Sequence, residues 1–187
     1  MIAEELEIPG VYLFKPKKFG DERGFFSETF NAQTLGDYLG PLNFVQDNHA
    51  YSKDKGVMRG LHFQAPPFDQ GKLVRVTRGS VLDVIVDIRT GSPTYGQHLS
   101  VELSAENWAQ LWVPPGFAHA YCTLEDHTEF VYKVTNFYSP DHDGGIAYDD
   151  HELGIEWPMP FDQMTVSDKD KKHPKLSELI SPFTYEV

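Results

Sequence analysis

Apolar residues recur at every second position through much of this chain, in short runs that end at glycine, proline or small polar residues. Leu82, Val84, Val86 and Ile88 fall on one side of an extended run and Asp83, Ile85 and Asp87 on the other, the period of two that belongs to β-structure. Leu73-Val74-Arg75-Val76-Thr77 precedes that run, and Gly79 between the two predicts a hairpin. Further strands are expected over 10–16, 24–30, 44–52, 57–64, 97–103, 110–113, 118–123, 129–138 and 146–148. Helical periodicity is confined to 32–38 and 175–180, and 139–160, with its prolines, glycines and acids, reads as a long ordered loop. Many short, evenly spaced strands with a few short helices predict an all-β sandwich or barrel. No repeat or linker divides the chain, so a single domain over 1–187 is expected.

Composition narrows the function. Hydrophobic residues make up 40% and aromatics 13%, enough for a packed core. Sixteen Lys and Arg against 28 Asp and Glu give a net charge of −12, a field that repels nucleic acid and anionic lipid. An anionic small molecule can bind such a protein only at a local knot of Arg and Lys. Met1-Ile2-Ala3-Glu4-Glu5-Leu6-Glu7 lacks the basic and then apolar regions of a signal peptide, and no run approaches the roughly 18 apolar residues of a membrane span. The single cysteine, Cys122, has no partner for an internal disulfide, so a reduced, cytoplasmic setting is expected.

Chemistry concentrates around Arg59-Gly60-Leu61-His62-Phe63-Gln64-Ala65-Pro66-Pro67-Phe68-Asp69-Gln70-Gly71-Lys72, where His62 and Lys72 flank a stiff proline pair. Alternation predicts Gly60, His62 and Gln64 on one face, with Arg59, Leu61 and Phe63 on the other. Pro114-Pro115-Gly116-Phe117-Ala118-His119 matches the P-x-G-x-x-H spacing of the second cupin motif, a jelly-roll signature. Metal-binding cupins add an H-x-H pair and a glutamate. Here that pair reads His62-Phe63-Gln64, and two imidazoles without a carboxylate make a poor metal set, so no metal is expected.

Eight ordered blocks carry a more specific likeness: "FGDERGFFSE" (19–28), "FVQDNHAYS" (44–52), "GVMRGLHFQ" (56–64), "QGKLVRVTRGSVLDVIVDIRTGSPTYG" (70–96), "LWVPPGFAHAY" (111–121), "FVYKVTNFYSP" (130–140), "GGIAYDDHELGIEWP" (144–158) and "VSDKD" (166–170). Together, from about residue 5 to 175, they resemble the dTDP-4-dehydrorhamnose 3,5-epimerase family. The resemblance implies a cupin-type jelly roll and a cytoplasmic homodimer needing neither metal nor other cofactor. The substrate it implies is dTDP-4-dehydro-6-deoxy-D-glucose, inverted at the carbons on both sides of its ketone on the way to dTDP-L-rhamnose.

Such an inversion requires a base with a pKa near the working pH, a positive charge for the developing enolate, and an acid on the opposite face. The resemblance implies His62 as base, Asp170 as its dyad partner, Lys72 as the cation and Tyr132 as proton donor. It also implies Arg23, Glu28, Gln46 and Asn48 for the nucleotide, with Phe25 or Phe26 placed to stack on the thymine, and Arg59, His119 and Lys169 for the diphosphate and sugar; Asp143 is a further substrate-binding candidate. The chain departs from the family pattern at Ala50, where Ser is expected, and at Asp143, where Glu is. Rival readings are a single-site epimerase or ketoisomerase on the same fold, a non-catalytic sugar-nucleotide binder, and a metal-dependent dioxygenase. Gln64 argues against the last.

Overall fold

In a computed structural model that describes residues 1–185, the chain forms a two-sheet jelly roll with one α-helix. The strands are β1 (Ile2–Glu5), β2 (Tyr12–Lys15), β3 (Phe19–Asp21), β4 (Gly24–Phe26), β5 (Gln46–Ser52), β6 (Val57–Gln64), β7 (Lys72–Arg78), β8 (Ser80–Asp87), β9 (His98–Ser104), β10 (Gln110–Val113), β11 (Phe117–Thr123), β12 (Thr128–Val134), β13 (Asp143–Gly145) and β14 (Thr165–Val166), with α1 (Ala32–Leu39) between β4 and β5. The first sheet has the order β1-β2-β10-β7-β12-β5 and the second β13-β6-β11-β8-β9, with β14 joining β6 in parallel. β3 and β4 form a separate ribbon.

The period of two explains the layers. Val74, Val76, Leu111, Val113 and Phe130 of the first sheet meet Val81, Ile85, Leu103, Phe117 and Tyr121 of the second in the central core. The second sheet is apolar on its other face as well. There Leu61, Phe63, Val84, Val86, Ala118 and Ala120 pack under Ile146, Tyr148, Leu153, Val166 and Phe183 of the C-terminal segment. A sheet buried on both sides accounts for the burial of Asp83, Ile85 and Asp87 as well as of Val84 and Val86 in β8. Helix α1 starts where the Asn31 side chain accepts from the amides of Gln33 and Thr34, and its buried Leu35 packs with Phe14, Leu73 and Trp112 outside the first sheet.

Several expectations need correction. The hairpin at Gly79 does not form: β7 pairs with β10 and β12, and β8 with β11 and β9, so the chain crosses between sheets there. The cause is that Val74 and Val76 face Val81 and Ile85 across the core, whereas a hairpin would set them side by side. The loop after β6 crosses in the same way, so His62 and Lys72 belong to opposing sheets. Gln64 ties that loop down, donating to the carbonyls of Phe68 (2.5 Å) and Phe137 (3.0 Å) and accepting from the Ser139 amide (2.7 Å). Strand 24–30 shrinks to β4, 129–138 stops at Val134, and the strand expected at 146–148 lies at Asp143–Gly145. Segment 175–180 holds only the single 3-10 turn Leu176–Glu178. β1, a polar edge strand without alternation, was unforeseen.

Candidate active site

The interior of the jelly roll is open toward one end, as a cavity of about 540 Å³ lined by Arg59, His62, Lys72, His119, Tyr121, Tyr132, Lys169 and Asp170 among others. A second cavity of about 310 Å³ shares His62, Lys72 and Tyr132 and adds Gln46, Asn48, Tyr138 and Asp143. Simple alternation separates Arg59 from His62; the structure corrects this. Along β11, His119 pairs with His62 but Tyr121 pairs with Arg59, so three steps on β6 oppose two on β11. This bulge resets the phase and puts both side chains on the cavity wall. Gly60 makes it possible: its φ is +124°, and a Cβ there would lie 2.5 Å from the His119 carbonyl oxygen.

His62 donates from Nε2 to Asp170 Oδ1 at 2.8 Å, while the Gly60 amide donates to Asp170 Oδ2 at 3.3 Å. Burial pushes the Asp170 pKa up, but the His62 hydrogen bond and charge and the Gly60 amide outweigh it and hold the carboxyl below its ordinary range. An ionised Asp170 fixes the Nε2–H tautomer, which leaves the Nδ1 lone pair available. Nδ1 makes no hydrogen bond among the described residues. His173 packs behind this pair, its ring edge-on to His62 at 5.6 Å, and is not among the residues lining the cavity.

Across the cavity stand Lys72 and Tyr132 on the first sheet. Lys72 pairs with Val134 and Tyr132 with Asn48, so the ammonium, the phenol and the Asn48 amide project from the same sheet face. Burial lowers the Lys72 pKa to about 8, with the carboxylates of Asp83 and Asp143 pulling the other way. Lys72 Nζ has no hydrogen-bonded partner among the described residues, so its protons are free for a ligand. Burial also raises the Tyr132 phenol, opposed by the Arg59 charge, so the hydroxyl stays protonated at neutral pH.

His119 and Asp83 complete the inner wall. His119 Nε2 lies 2.9 Å from Asp83 Oδ1, with both groups buried. Asp83 was missed in the sequence, although the signal was present: an acid sharing a strand face with Val81 and Ile85, which belong to the core. Tyr138, whose hydroxyl donates to Asp143 Oδ2 at 3.1 Å, was missed too. Asp143 also pairs with Lys169 at the rim.

Arg23, Phe26 and Glu28 are not brought to this cavity within one chain. Arg23 pairs with Asp21 and its side chain is 85% exposed. Phe26 and Glu28 border another hollow, on the outer face of the first sheet, with Leu73, Arg75, Thr77 and Lys133. The Arg75 guanidinium there has a buried, unpartnered Nη1 and was also overlooked.

A cupin-type metal set is not assembled around His62 and His119. The two residues pair across adjacent strands, yet each imidazole turns Nε2 to its own carboxylate, Asp170 or Asp83.

The sequence model of dTDP-4-dehydrorhamnose 3,5-epimerase matches residues 5–178. The dTDP-4-dehydrorhamnose 3,5-epimerase of Salmonella typhimurium is 52% identical over 182 residues, covering 96% of this chain and 98% of that protein. A dTDP-6-deoxy-D-glucose-3,5-epimerase of Legionella pneumophila, solved in complex with dTDP-4-keto-L-rhamnose, superimposes with a TM-score of 0.94 at 43% identity, covering 100% of this chain and 99% of that one. The corresponding enzyme of Bacillus anthracis, solved with TDP and PPi, gives a TM-score of 0.88 at 45% identity, covering 93% and 99%. With the match running through both sheets and every strand that lines the cavity, the chain belongs to the dTDP-4-dehydrorhamnose 3,5-epimerase family.

Proposed function

We propose that this protein is an isomerase that converts dTDP-4-dehydro-6-deoxy-D-glucose to dTDP-4-dehydro-L-rhamnose by inverting C3 and C5, within dTDP-L-rhamnose synthesis. One observation carries the reading: His62 and Tyr132 stand on opposing sheets and line the same cavity, with Lys72 beside Tyr132. A sugar ring held between the walls presents one face to the base and the other to the acid.

His62 Nδ1 takes the proton from a carbon next to the C4 ketone, and Asp170 stabilises the imidazolium through Nε2–H. The electron pair moves onto the ketone oxygen, where the Lys72 ammonium stabilises the enolate. Tyr132 then donates its proton to the carbon from the far side, inverting the centre; solvent takes the proton from the His62 imidazolium and returns one to the Tyr132 phenolate, and the cycle repeats at the second carbon. Proton transfer of this kind contributes roughly 10²–10⁴-fold, and a preorganised charge at the oxyanion roughly 10²–10³-fold. The enolate is stabilised by the protein alone, so the reaction calls for no cofactor.

Arg59 and Lys169 supply positive charge for the diphosphate and sugar, His119 lines the same wall, and Gln46 and Asn48 offer amides to the thymine. Arg23, Phe26 and Glu28 do not line the cavity of their own chain, and a second copy of the chain offering them to the nucleotide is the homodimer assigned here. The β3–β4 ribbon suits that exchange, since Phe19 is 55% and Phe26 70% exposed. We assign the chain one domain and a cytoplasmic location, in keeping with its acidic surface and lone buried Cys122. No helix among the described residues is long and apolar enough to cross a membrane.

The test feeds the purified protein its substrate in deuterated water. Deuterium at both C3 and C5 is expected. Label at one carbon identifies a single-site epimerase, and no label leaves a sugar-nucleotide binder.

A further inference from the structure

We infer that His62, Asp170 and His173 form a chelating site for a divalent transition metal such as Zn²⁺, and that occupancy of this site switches the base off. The three residues each present one ligand atom, and these atoms all lie within 4.8 Å of one another. His62 Nε2 is 2.8 Å and His173 Nε2 3.9 Å from the same oxygen, Asp170 Oδ1. Zinc bonds of about 2.0–2.1 Å set tetrahedral ligands about 3.3 Å apart, so one pair opens slightly and another closes slightly. Two imidazoles and a carboxylate suit zinc, cobalt or nickel, while magnesium and calcium require oxygen ligands.

His173 gives the independent reason to read this cluster as a site. Its Nε2 is buried without a hydrogen-bond partner, which is costly for a ring nitrogen unless something occupies it. It comes so close to β13 that a Cβ on Gly145 would lie 2.6 Å from that nitrogen, so glycine there clears the room. The catalytic reading gives His173 no task. Two of the three ligands, His62 and Asp170, line the cavity.

Loss of the base follows from the ring's own chemistry. In the metal-free protein the Nε2 proton of His62 points to Asp170 and Nδ1 carries the lone pair. A metal on Nε2 takes that lone-pair position, so the proton of the neutral ring moves to Nδ1. The proton is conserved, but the atom that should accept hydrogen from the sugar already bears one. This consequence rests on the proposed role of His62; metal binding itself does not.

The experiment uses chelator-stripped full-length protein. One equivalent of Co²⁺ is expected to give the visible absorption of a low-symmetry nitrogen–oxygen site, displaced by Zn²⁺. Zn²⁺ should abolish deuterium exchange into substrate, EDTA should restore it, and Mg²⁺ at the same concentration should leave it unchanged. His173→Asn should exchange at the wild-type rate and need about tenfold more Zn²⁺, or beyond, for half-inhibition. Equal zinc sensitivity in wild type and His173→Asn, or no cobalt spectrum in wild type, overturns the site. His173→Gln serves as a second variant, and its cobalt titration on folded protein reads the site even where activity is lost. If metal-free wild type shows no exchange while the cobalt spectrum appears, the epimerase reading fails and the metal site stands.

Discussion

Arg59 and His62 share a cavity wall although they lie three positions apart on one strand, because the β6 bulge at Gly60 absorbs the extra residue. Gly60 also sends its amide to Asp170, so a single glycine sets the phase of the wall and anchors the dyad. Gly60→Ala would press a methyl group to 2.5 Å from the Ala120 Cβ and the His119 carbonyl at a φ of +124°. We expect it to lose about 1–3 kcal/mol of stability in urea unfolding, and exchange activity in the fraction still folded. A variant with wild-type stability and rate would show that the bulge does not need glycine.

How much of this was legible follows from where the information lay. Strand β8 could be read because Leu82, Val84 and Val86 alternate in step with the pleat. The sheet crossings at Gly79 and after Gln64 could not, since a turn residue between two apolar runs looks alike whether the runs pair or face each other. The bulge defeated alternation, and only the unexpected company of Arg59 with His62 marked it. Asp170 lies 108 residues from His62 in a charge-rich run, where no local pattern distinguishes a buried acid from a solvated one. Family likeness, not periodicity, pointed to it. Asp83 was the reverse case, a local signal that went unused.

Asp170 must accept twice, from His62 Nε2–H and from the Gly60 amide. The amide of Asp170→Asn cannot do both, since one of its ends is a donor. Either the Gly60 contact becomes donor against donor, or the amide donates to Nε2 and forces the proton onto Nδ1. Activity should fall by about 10²–10⁴-fold while dTDP affinity, measured by calorimetry, stays near wild type. Unchanged turnover would remove Asp170 from the dyad.

Lys72 serves the enolate only while protonated, and burial brings its pKa down to about 8. Raising the pH through that value removes the charge, so kcat/KM should bend downward near pH 8. Lys72→Met should lower the rate by about 10²–10³-fold and remove this alkaline limb from what remains. A profile that stays level to pH 10 would show that the ammonium is not the group stabilising the enolate.

Tyr132 and His62 act on opposite faces, so removing the hydroxyl separates two events that the wild type joins. In Tyr132→Phe, His62 still takes the proton and Lys72 still holds the enolate, but nothing on the far wall returns a proton. The proton comes back from the imidazolium to the face it left, after mixing with solvent deuterium. The variant should therefore exchange deuterium into unreacted substrate at a measurable rate with almost no inverted product. Mass spectrometry reads the first quantity and coupling constants in the proton spectrum the second. The phenyl ring fills the same space beside Phe130 and alters neither sheet, so loss of folding does not confuse the result. Inversion at the wild-type rate would mean that the acid is another group, with Tyr138 of the adjoining cavity the first to examine. Loss of exchange together with inversion would mean that Tyr132 assists the first proton transfer rather than the second.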